Sequence, residues 1–298
     1  MILFIAMLLD AAFGEPQWLW SRITHPAALM GRAVGWIDQR YNNGQRRKLA
    51  GALSFAALFV LAGILGWVLE SLPGQIIDLA VLAVLLAQKS LVQHIQAVAD
   101  GLRMSLPQGR RAVAMVVSRD TTTMDQSSVA RSAIESGSEN LSDGIIAPAF
   151  WFAVAGLPGL LIYKITNTAD SMIGYRTPRH QDFGWAAARF DDLLNLIPAR
   201  LTAFLIWLPQ RRGSWAEIRR DANLHRSPNA GWPEAAMAYA HEIALAGPRS
   251  YGGKMTEFDY VNASGRIILT PTDIDETCGS LWKAWAGALV IALILALL

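Results

Sequence analysis

Long apolar runs alternate with polar, arginine-rich connections along this chain. The run 49–69 carries no charged residue, and 281–298 is almost entirely Ala, Leu, Ile and Val after Lys283. A helix of about 20 apolar residues is long enough to cross a bilayer. Shorter or proline-interrupted apolar runs occupy 1–13, 76–92, 145–163 and 193–209. The pattern predicts an all-α, polytopic integral membrane protein with about 4–6 apolar helices, some broken or re-entrant, and helical cytoplasmic loops.

Composition supports a membrane protein. Of the 298 residues, 53% are hydrophobic and 17% are charged, whereas soluble domains have about 25% charged residues. A net charge of +2 gives no reason to expect nucleic-acid binding, and the single cysteine, Cys278, excludes an internal disulfide and a cysteine-based zinc site. We expect a single membrane-embedded domain over 1–298, with a core active-site region at 100–200 and a polar helical segment at 210–280.

The charges of the connections predict their sides of the membrane. Residues 15–48 and 100–144 are rich in Lys and Arg, and 70–75 contain neither. The positive-inside rule then places the first two in the cytoplasm and the 70–75 turn outside. A simple crossing by 145–163 would put the basic loop 164–192 outside as well. We therefore predict that 145–163, which contains Pro148 and Pro158, is a re-entrant or half-buried hairpin.

Three acidic residues, Glu135, Glu139 and Asp143, follow one another at four-residue spacing, with Ser136 and Asn140 alongside. On an α-helix they would share one stripe, where like charges repel. Such a stripe attracts cations, and Mg²⁺ is typically held by one or two carboxylates together with substrate phosphates. The stripe predicts a metal or catalytic site; a solvated helix face is the alternative.

A second polar cluster follows the run 145–163. Lys164, Asn167 and Ser171 have helical 3–4 spacing, with Asp170 beside them and Arg176 shortly after. Polar groups in such apolar surroundings are costly and persist mostly where they bind or react. These residues could hold a phosphate and its metal. The alternative is an interfacial helix end with paired charges.

The third cluster opens the run 193–209. It contains Arg189, the adjacent Asp191 and Asp192, Asn195 and Arg200. This arrangement predicts a second metal or amine site. The alternative is an Asp pair stabilised only by the dipole of a helix N-terminus.

Local patterns give further expectations. Thr121–Thr123 are expected to cap a helix that begins near Met124 and runs toward Asp143. Residues 266–271 have the composition of a short strand, and 211–245 that of two helices around a turn. The glycine-rich stretch 246–254 does not have the spacing of a phosphate-binding Walker A loop.

Several motifs, in this order, resemble those of the cobalamin-biosynthesis CobD/CbiB family, the adenosylcobinamide-phosphate synthases. The resemblance covers nearly the whole chain, and its long central motifs are specific. One difference is Glu15, where the family pattern usually has Asp. The motifs are Gly14-Glu15-Pro16 after Asp10, His25-Pro26, Ser118-Arg119-Asp120, ESGSENLSDGIIAP (135–148), YKITNTADSMIGYR (163–176), ARFDDLLNLIPARL (188–201) and SPNAGWPEAAMA (227–238).

The resemblance implies an amide-forming ligase. It would join a side-chain carboxylate of adenosylcobyric acid to (R)-1-amino-2-propanol or its O-phosphate, with ATP and Mg²⁺ as cofactors. The implied partners are the corrinoid, the amine, membrane lipid and other membrane-bound cobalamin-assembly enzymes. The expected location is the cell inner membrane, with a cytoplasmic active site.

The clusters and the resemblance together suggest a role for each polar residue of the motifs. The expected catalytic residues are Glu135, Glu139, Lys164, Asp170 and Asp191. The expected substrate- or nucleotide-binding residues are His25, Arg119, Ser136, Asn140, Asn167, Ser171, Arg176, Arg189, Arg200 and Asn229. The expected metal ligands are Glu139, Asp143, Asp170 and Asp192.

Two other functions remain open. A non-catalytic corrinoid-binding scaffold, or a sensory membrane protein of the AmpE type, would share the apolar runs but would not need the three acidic clusters. A transporter would explain the broken helices, but it would be expected to have more full crossings and shorter loops than the polar stretch 210–280.

Overall fold

The computed structural model describes residues 1–251, 254–256 and 258–298. Gly252 and Gly253, in the glycine-rich stretch 246–254, lie outside the described residues. The described helices are α1 (Ile2–Phe13), α2 (Gln17–Trp20), α3 (Pro26–Tyr41), α4 (Arg47–Glu70), α5 (Ile76–Leu85), α6 (Gln88–Met104), α7 (Leu106–Val113), α8 (Gln126–Leu141), α9 (Ala147–Ile173), α10 (Trp185–Leu194), α11 (Leu196–Trp207), α12 (Trp215–Ala222), α13 (Gly231–Ala240) and α14 (Pro271–Leu297), with a π-helical turn at Ser142–Ile146.

Among the described residues, four helical stretches are long and apolar enough to cross a membrane, and two shorter helices are also apolar. The four are Arg47–Glu70, Ile76–Met104, Gln126–Ile173 and Pro271–Leu297, and the shorter two are Ile2–Phe13 and Leu196–Trp207. The prediction of an all-α chain with four to six apolar helices is confirmed, as expected for a multi-pass membrane protein.

Strands are few and short. β1 (Leu245–Ala246) pairs with β4 (Tyr260–Val261), and β2 (Arg249–Tyr251) pairs with β3 (Lys254–Thr256), both antiparallel. The prediction of a strand at 266–271 is wrong, because only Arg266 forms a bridge, with Ile243.

Residues 266–271 instead stabilise the N-terminal end of α14. The backbone amide and hydroxyl of Thr270 donate to Asp273 Oδ2 at 2.7 and 2.9 Å, and the guanidinium of Arg266 pairs with the same carboxylate. Proline is favoured in the first turn of a helix because its missing N–H is not needed there. The last helix therefore starts at Pro271, ten residues before the apolar run at 281 from which it was predicted.

By its internal contacts the chain forms two compact units. Unit 1 comprises Met1–Ala87, Ala147–Leu196 and Ala292–Leu298, and unit 2 comprises Gln88–Ile146 and Ile197–Ile291. Each unit is thus assembled from segments that are far apart in the chain. The expectation of a single membrane-embedded domain stays a prediction.

In unit 1, α4 packs closely against the second half of α9. A Cβ on Gly66 would lie 2.5 Å from Pro158 Cα, and a Cβ on Gly63 would lie 3.3 Å from Ile162 Cδ1. Further along, Phe55 of α4 belongs to one buried cluster with Ala169. Because residues later in α9 lie beside residues earlier in α4, the two segments run antiparallel.

The first half of α9 turns back on the second half. Ala155 and Gly156 have non-helical backbone angles, and Gly156 has φ 59°. A Cβ on Gly159 would lie 2.5 Å from the carbonyl oxygen of Trp151, whereas eight residues of straight helix rise about 12 Å. This break supports the prediction that 145–163 does not make a simple crossing, which stays a prediction about the membrane.

The loop after α9 is fastened at the start of α4. Asn42 Nδ2 and Arg47 Nη1 donate to the carbonyls of Arg179 and Pro178 at 3.1 and 3.0 Å. A Cβ on Gly51 would lie 1.9 Å from the carbonyl oxygen of Phe183, so only glycine permits this approach. Residues 174–184, the connection within the basic stretch 164–192, therefore lie at the same end of α4 as residues 42–51.

Unit 2 is built around α8, whose Val129, Ala133 and Ile134 are completely buried. The helix begins at Gln126, and Asp125 rather than Thr121–Thr123 caps it by accepting from the Ser128 amide at 2.7 Å. The predicted helix pair around a turn in 211–245 is confirmed as α12 and α13.

Candidate active site

A buried polar network joins α9 to α10 in unit 1. Asp191 has 9% of its surface exposed. It accepts hydrogen bonds from Asn195 Nδ2 at 3.0 Å and from Asn167 Nδ2 at 3.4 Å. The hydroxyl of Tyr163, a completely buried residue, donates to Asn195 Oδ1 at 3.1 Å. The structure thus brings the second and third predicted clusters together around one carboxylate.

Three carboxylates influence one another in this region. Burial, followed by the charge of Asp170 and to a smaller extent that of Asp192, raises the pKa of Asp191 to about 7, although the hydrogen bonds from Asn195 and Asn167 oppose the rise. Burial also raises the pKa of Asp192, against the opposing charges of Arg189 and Arg176. Arg189 Nη1 lies 3.6 Å from Asp192 Oδ2. These arginines therefore supply positive charge beside the carboxylates.

The Asp191–Asp192 pair lies in the last turn of α10, which begins at Trp185. The dipole of a helix N-terminus, offered above as the alternative explanation, therefore does not account for the pair. A buried carboxylate needs compensating hydrogen bonds or charges. The amides and arginines around the pair provide them.

Glycine makes room for Asp170 at the end of α9. A Cβ on Gly174 would lie 2.0 Å from Asp170 Oδ1 and 2.6 Å from the Asp170 carbonyl oxygen. A Cβ on Gly184 would lie 1.7 Å from the carbonyl oxygen of Ile173. Larger residues at either position would displace the backbone that carries Asp170.

The other predicted residues of this region lie around the network. Lys164 is half-buried one turn from Asn167, whereas Ser171, Arg176 and Arg189 are exposed. Exposed cations and hydroxyls beside buried carboxylates are suited to receiving an anionic ligand from solvent.

The carboxylates fit a magnesium ion only in part. In the ranges that the structure describes, no group of three or more His, Cys, Asp or Glu residues is arranged to hold a metal. Mg²⁺, however, is usually bound by one or two carboxylates together with substrate phosphates. The repulsion that Asp170 and Asp192 exert on Asp191 is also of the kind that a bound cation relieves. The metal site therefore stays a prediction.

Glu135 of α8 lies in unit 2, where it bridges two segments. Its carboxylate accepts from Arg119 Nη2 at 3.1 Å and from the Ala246 amide at 2.8 Å. Ala246 has φ 57°, a conformation that is costly for any residue with a Cβ. Glu135 therefore holds Arg119 and the backbone at Ala246 in position. The catalytic role predicted for Glu135 stays a prediction.

The predicted acidic stripe is only partly realised. Glu135 is buried and Glu139 is exposed on α8, while Asp143 lies in the π-helical turn after the helix ends. A π-turn is wider than an α-turn, so the four-residue spacing does not keep Asp143 on the same stripe. Ser136 donates to the carbonyl of Val116 at 2.7 Å, and Asn140 donates to the carbonyl of Ser136 at 2.8 Å.

Arg200 and Asn229 form a contact of their own in unit 2. Arg200 Nη1 donates to Asn229 Oδ1 at 2.7 Å, and its guanidinium lies 4.7 Å from the centre of the Trp232 ring. The sequence grouped Arg200 with the Asp pair, and the structure instead gives it partners in the motif 227–238.

His25 caps α3 in unit 1. Its Nδ1 accepts from the Ala27 amide at 3.1 Å, and its ring packs edge-on against Trp20. Its Nε2 is buried and has no hydrogen-bond partner among the described residues. A structural role for His25 is therefore visible, and its predicted binding role stays a prediction.

Two buried hydrogen-bonding arrangements were not predicted from sequence. Tyr163 belongs to the central motif, but its apolar neighbours in the sequence are typical of a core aromatic residue. The only sequence signal for a role beside the cluster is its helical four-residue spacing to Asn167. Asp221 accepts from Tyr239 Oη at 2.9 Å and from the Asn262 amide at 2.8 Å. No local pattern links positions so far apart.

The family model described as CobD/Cbib protein matches residues 3–281. This chain belongs to the CobD/CbiB family. A cobalamin biosynthesis protein CobD from Sinorhizobium fredii is 48% identical over 302 residues, covering 95% of this chain and 93% of the relative. Proteins of the same description from Rhizobium meliloti and Rhodobacter capsulatus are 50% and 42% identical, covering 92% and 98% of this chain and 90% and 96% of their own lengths. No solved structure matches.

Family membership confirms the resemblance drawn from the motifs and places the protein in cobalamin biosynthesis. The motif that carries Asn167 and Asp170 and the motif that carries Asp191 and Asn195 both lie within the matched residues. The unit 1 network is therefore a candidate for the chemistry of this family member.

Proposed function

We propose that this protein is a ligase that forms an amide bond in cobalamin biosynthesis. It joins a side-chain carboxylate of adenosylcobyric acid to (R)-1-amino-2-propanol or its O-phosphate, giving adenosylcobinamide or its phosphate. The observation that carries the proposal is the buried Asp191, which Asn195 and Asn167 hold among two further carboxylates and two arginines. In a protein of this family, such a cluster favours chemistry over passive binding.

Each group in the cluster suits one requirement of amide formation. The attacking amine must first lose the proton of its ammonium form, and Asp191, fixed by two amide donors, is placed to accept it. The exposed Arg176 and Arg189 supply positive charge for phosphoryl oxygens. Asp170 and Asp192 would hold Mg²⁺. A free carboxylate is a poor acyl donor, and bound ATP supplies the phosphoryl group that activates it.

The membrane arrangement supports a cytoplasmic site at the inner membrane. Residues 174–184 are fastened beside Arg47 at the start of α4, and that start is the basic end which the positive-inside rule places in the cytoplasm. The network lies on the two helices that this loop connects. A corrinoid in the cytoplasm would reach it from that side.

Purified full-length protein in detergent, given adenosylcobyric acid, ATP, Mg²⁺ and aminopropanol phosphate, tests the proposal. We expect cobinamide phosphate to form, and its formation to stop when ATP or the amine is omitted. Corrinoid binding without product, in protein that unfolds cooperatively on heating, would contradict the ligase and favour the scaffold.

A further inference from the structure

Helix α3, with 16 residues, is not among the stretches that are long and apolar enough to cross a membrane. It packs on unit 1 through one face, on which Val34 is completely buried and Ile37 is nearly so. Asp38 belongs to the same face, because Asn42 Nδ2 and Arg179 Nη2 both donate to its carboxylate at 2.7 Å. Contacts within the protein therefore account for the inward face of α3.

The middle of α3 lies at the level where two membrane-crossing stretches meet their ends. A Cβ on Gly31 would lie 3.6 Å from Met172 Sδ, and a Cβ on Gly35 would lie 3.6 Å from Met172 Cε. Met172 is the next-to-last residue of α9. After α3, only residues 42–46 precede the start of α4. Because α4 and the second half of α9 run antiparallel, both neighbours place α3 at one end of the membrane-crossing part of unit 1.

The outward face of α3 carries a stripe in which apolar and cationic side chains alternate. Leu29 and Trp36 have 52% and 59% of their surface exposed, and Arg32 and Arg40, which follow them along the helix, are exposed as well. Spacings of three and four residues align these positions on one face. The Arg40 guanidinium lies 5.9 Å from the centre of the Tyr41 ring, which packs edge-on against Trp36. The outward stripe (Leu29, Arg32, Trp36 and Arg40) thus ends in a cation beside two exposed aromatic rings.

Side chains of these types suit the boundary between lipid headgroups and acyl chains. Trp and Tyr are enriched there because each has an apolar body and a hydrogen-bonding tip. A guanidinium binds phosphate oxygens in a bidentate manner, while its apolar stem lies along hydrocarbon. The positive-inside rule places the connection 15–48, which contains α3, in the cytoplasm. The cytoplasmic leaflet carries anionic lipids that attract basic residues at its surface.

We propose that the outward stripe of α3 is a binding surface for anionic phospholipid. Arg32 and Arg40 bind the phosphate groups, and Leu29 and Trp36 lie among the first carbons of the acyl chains. The helix then lies in the plane of the membrane interface, as amphipathic surface helices do. This role goes beyond the proposed ligase activity and does not depend on it.

Native mass spectrometry of the full-length protein, titrated with phosphatidylglycerol or phosphatidylcholine, tests the lipid preference. We expect the tightest phosphatidylglycerol to bind about fivefold or more tightly than phosphatidylcholine. The double variant Arg32→Gln/Arg40→Gln should lose this preference. The control Arg111→Gln/Arg219→Gln removes the same charge from exposed positions of α7 and α12 and should keep it. Equal losses in the two double variants would overturn the proposal, because net charge alone would then explain the preference.

Fluorescent labels locate the stripe without relying on the arginines. In a Cys278→Ser background, Leu29→Cys and Trp36→Cys carry the label in phospholipid bilayers, and Leu61→Cys, an exposed position in the middle of α4, is the control. We expect a nitroxide near the lipid headgroup to quench the labels at 29 and 36 most strongly. A nitroxide near the end of the acyl chain should quench the label at 61 most strongly.

Two outcomes of the quenching experiment would overturn the lipid assignment. Quenching of the labels at 29 and 36 by aqueous iodide, and by neither nitroxide lipid, would mean that the stripe faces water or a soluble partner. Quenching at the same depth as the label at 61 would mean that α3 lies within the acyl chains rather than at the interface. Because all three labelled positions are exposed, the substitutions leave the packing of unit 1 unchanged.

Discussion

Asn195 donates a hydrogen bond from Nδ2 to Asp191 Oδ2 at 3.0 Å, one turn earlier in the chain, while its Oδ1 accepts from Tyr163. The tyrosine thereby fixes which end of the amide faces the carboxylate. Asn195 also interrupts the helical run between α10 and α11. Asn195 thus both separates α10 from α11 and orients the carboxylate of Asp191.

Removing this amide should impair turnover. A hydrogen bond to a charged group contributes about 1.5–3 kcal/mol, so Asn195→Ala is expected to lower kcat by about 10- to 100-fold. Tyr163→Phe, which removes the hydroxyl that donates to Asn195 Oδ1, should cost less, about 2- to 10-fold. Initial rates of cobinamide phosphate formation measure both, with the exposed Asn43→Ala as control. Equal rates for Asn195→Ala and Asn43→Ala would refute this role.

The hairpin in α9 has a topological consequence. Because 147–163 turns back, the loop after α9 should lie on the opposite face of the membrane from the turn after α4. In a Cys278→Ser background, Ser71→Cys and Tyr175→Cys, both at exposed positions, should react with an impermeant thiol reagent from opposite sides of sealed vesicles. Asn43→Cys should behave like Tyr175→Cys. Labelling of positions 71 and 175 from the same side would mean a simple crossing.

Close packing of α4 on α9 should make Gly66 intolerant of a side chain. A Cβ there would lie 2.5 Å from backbone atoms of Pro158, which cannot move as a side chain can. Overpacking of this kind typically costs about 1–3 kcal/mol, so Gly66→Ala should unfold at a lower temperature in detergent. Gly279→Ala is the matched control, because nothing lies within 4 Å of its added Cβ. Equal melting temperatures for the two variants would disprove the close contact.

The Asp221 network should make unit 2 sensitive to acid. Burial alone would raise the pKa of Asp221, but hydrogen bonds from Arg220, the Asn262 amide and Tyr239 outweigh it and lower the pKa. A depressed folded-state pKa stabilises the protein above the unfolded value of about 3.9, and this stability is lost as pH falls through the folded value. Thermal unfolding between pH 7 and pH 3 should show this loss in the parent and a smaller one in Asp221→Asn. The exposed Asp259→Asn should follow the parent; a parent-like acid response in Asp221→Asn would argue against the network.

Local patterns in the sequence predicted the apolar helices well. The run 49–69 forms the helix Arg47–Glu70, because about twenty consecutive apolar residues are typical of a membrane-spanning helix. Proline and loop charge likewise predicted the break in 145–163. Features that depend on distant segments were missed. The π-helical turn that moves Asp143 off the acidic stripe and the contact of Glu135 with Ala246 have no local signal.

The candidate site shows the same division. Asn167, Asp170 and Asp191 could be selected because polar residues in apolar runs are costly, and the structure places them together. Arg200 was grouped with Asp191 by closeness in sequence, yet its partner is Asn229. Sequence spacing reports neighbours on one helix, and packing decides which helices meet.

The central claim is that Asp191 serves amide formation, and one comparison tests it most directly. Cobinamide phosphate formation would be measured for the parent, Asp191→Asn and Asp78→Asn, the last at the start of α5, with corrinoid binding measured in parallel. General-base catalysis contributes about 10²- to 10⁴-fold, so we expect Asp191→Asn to lose product formation by that factor while it still binds the corrinoid and Asp78→Asn retains activity. Parent-like turnover by folded Asp191→Asn would contradict the account.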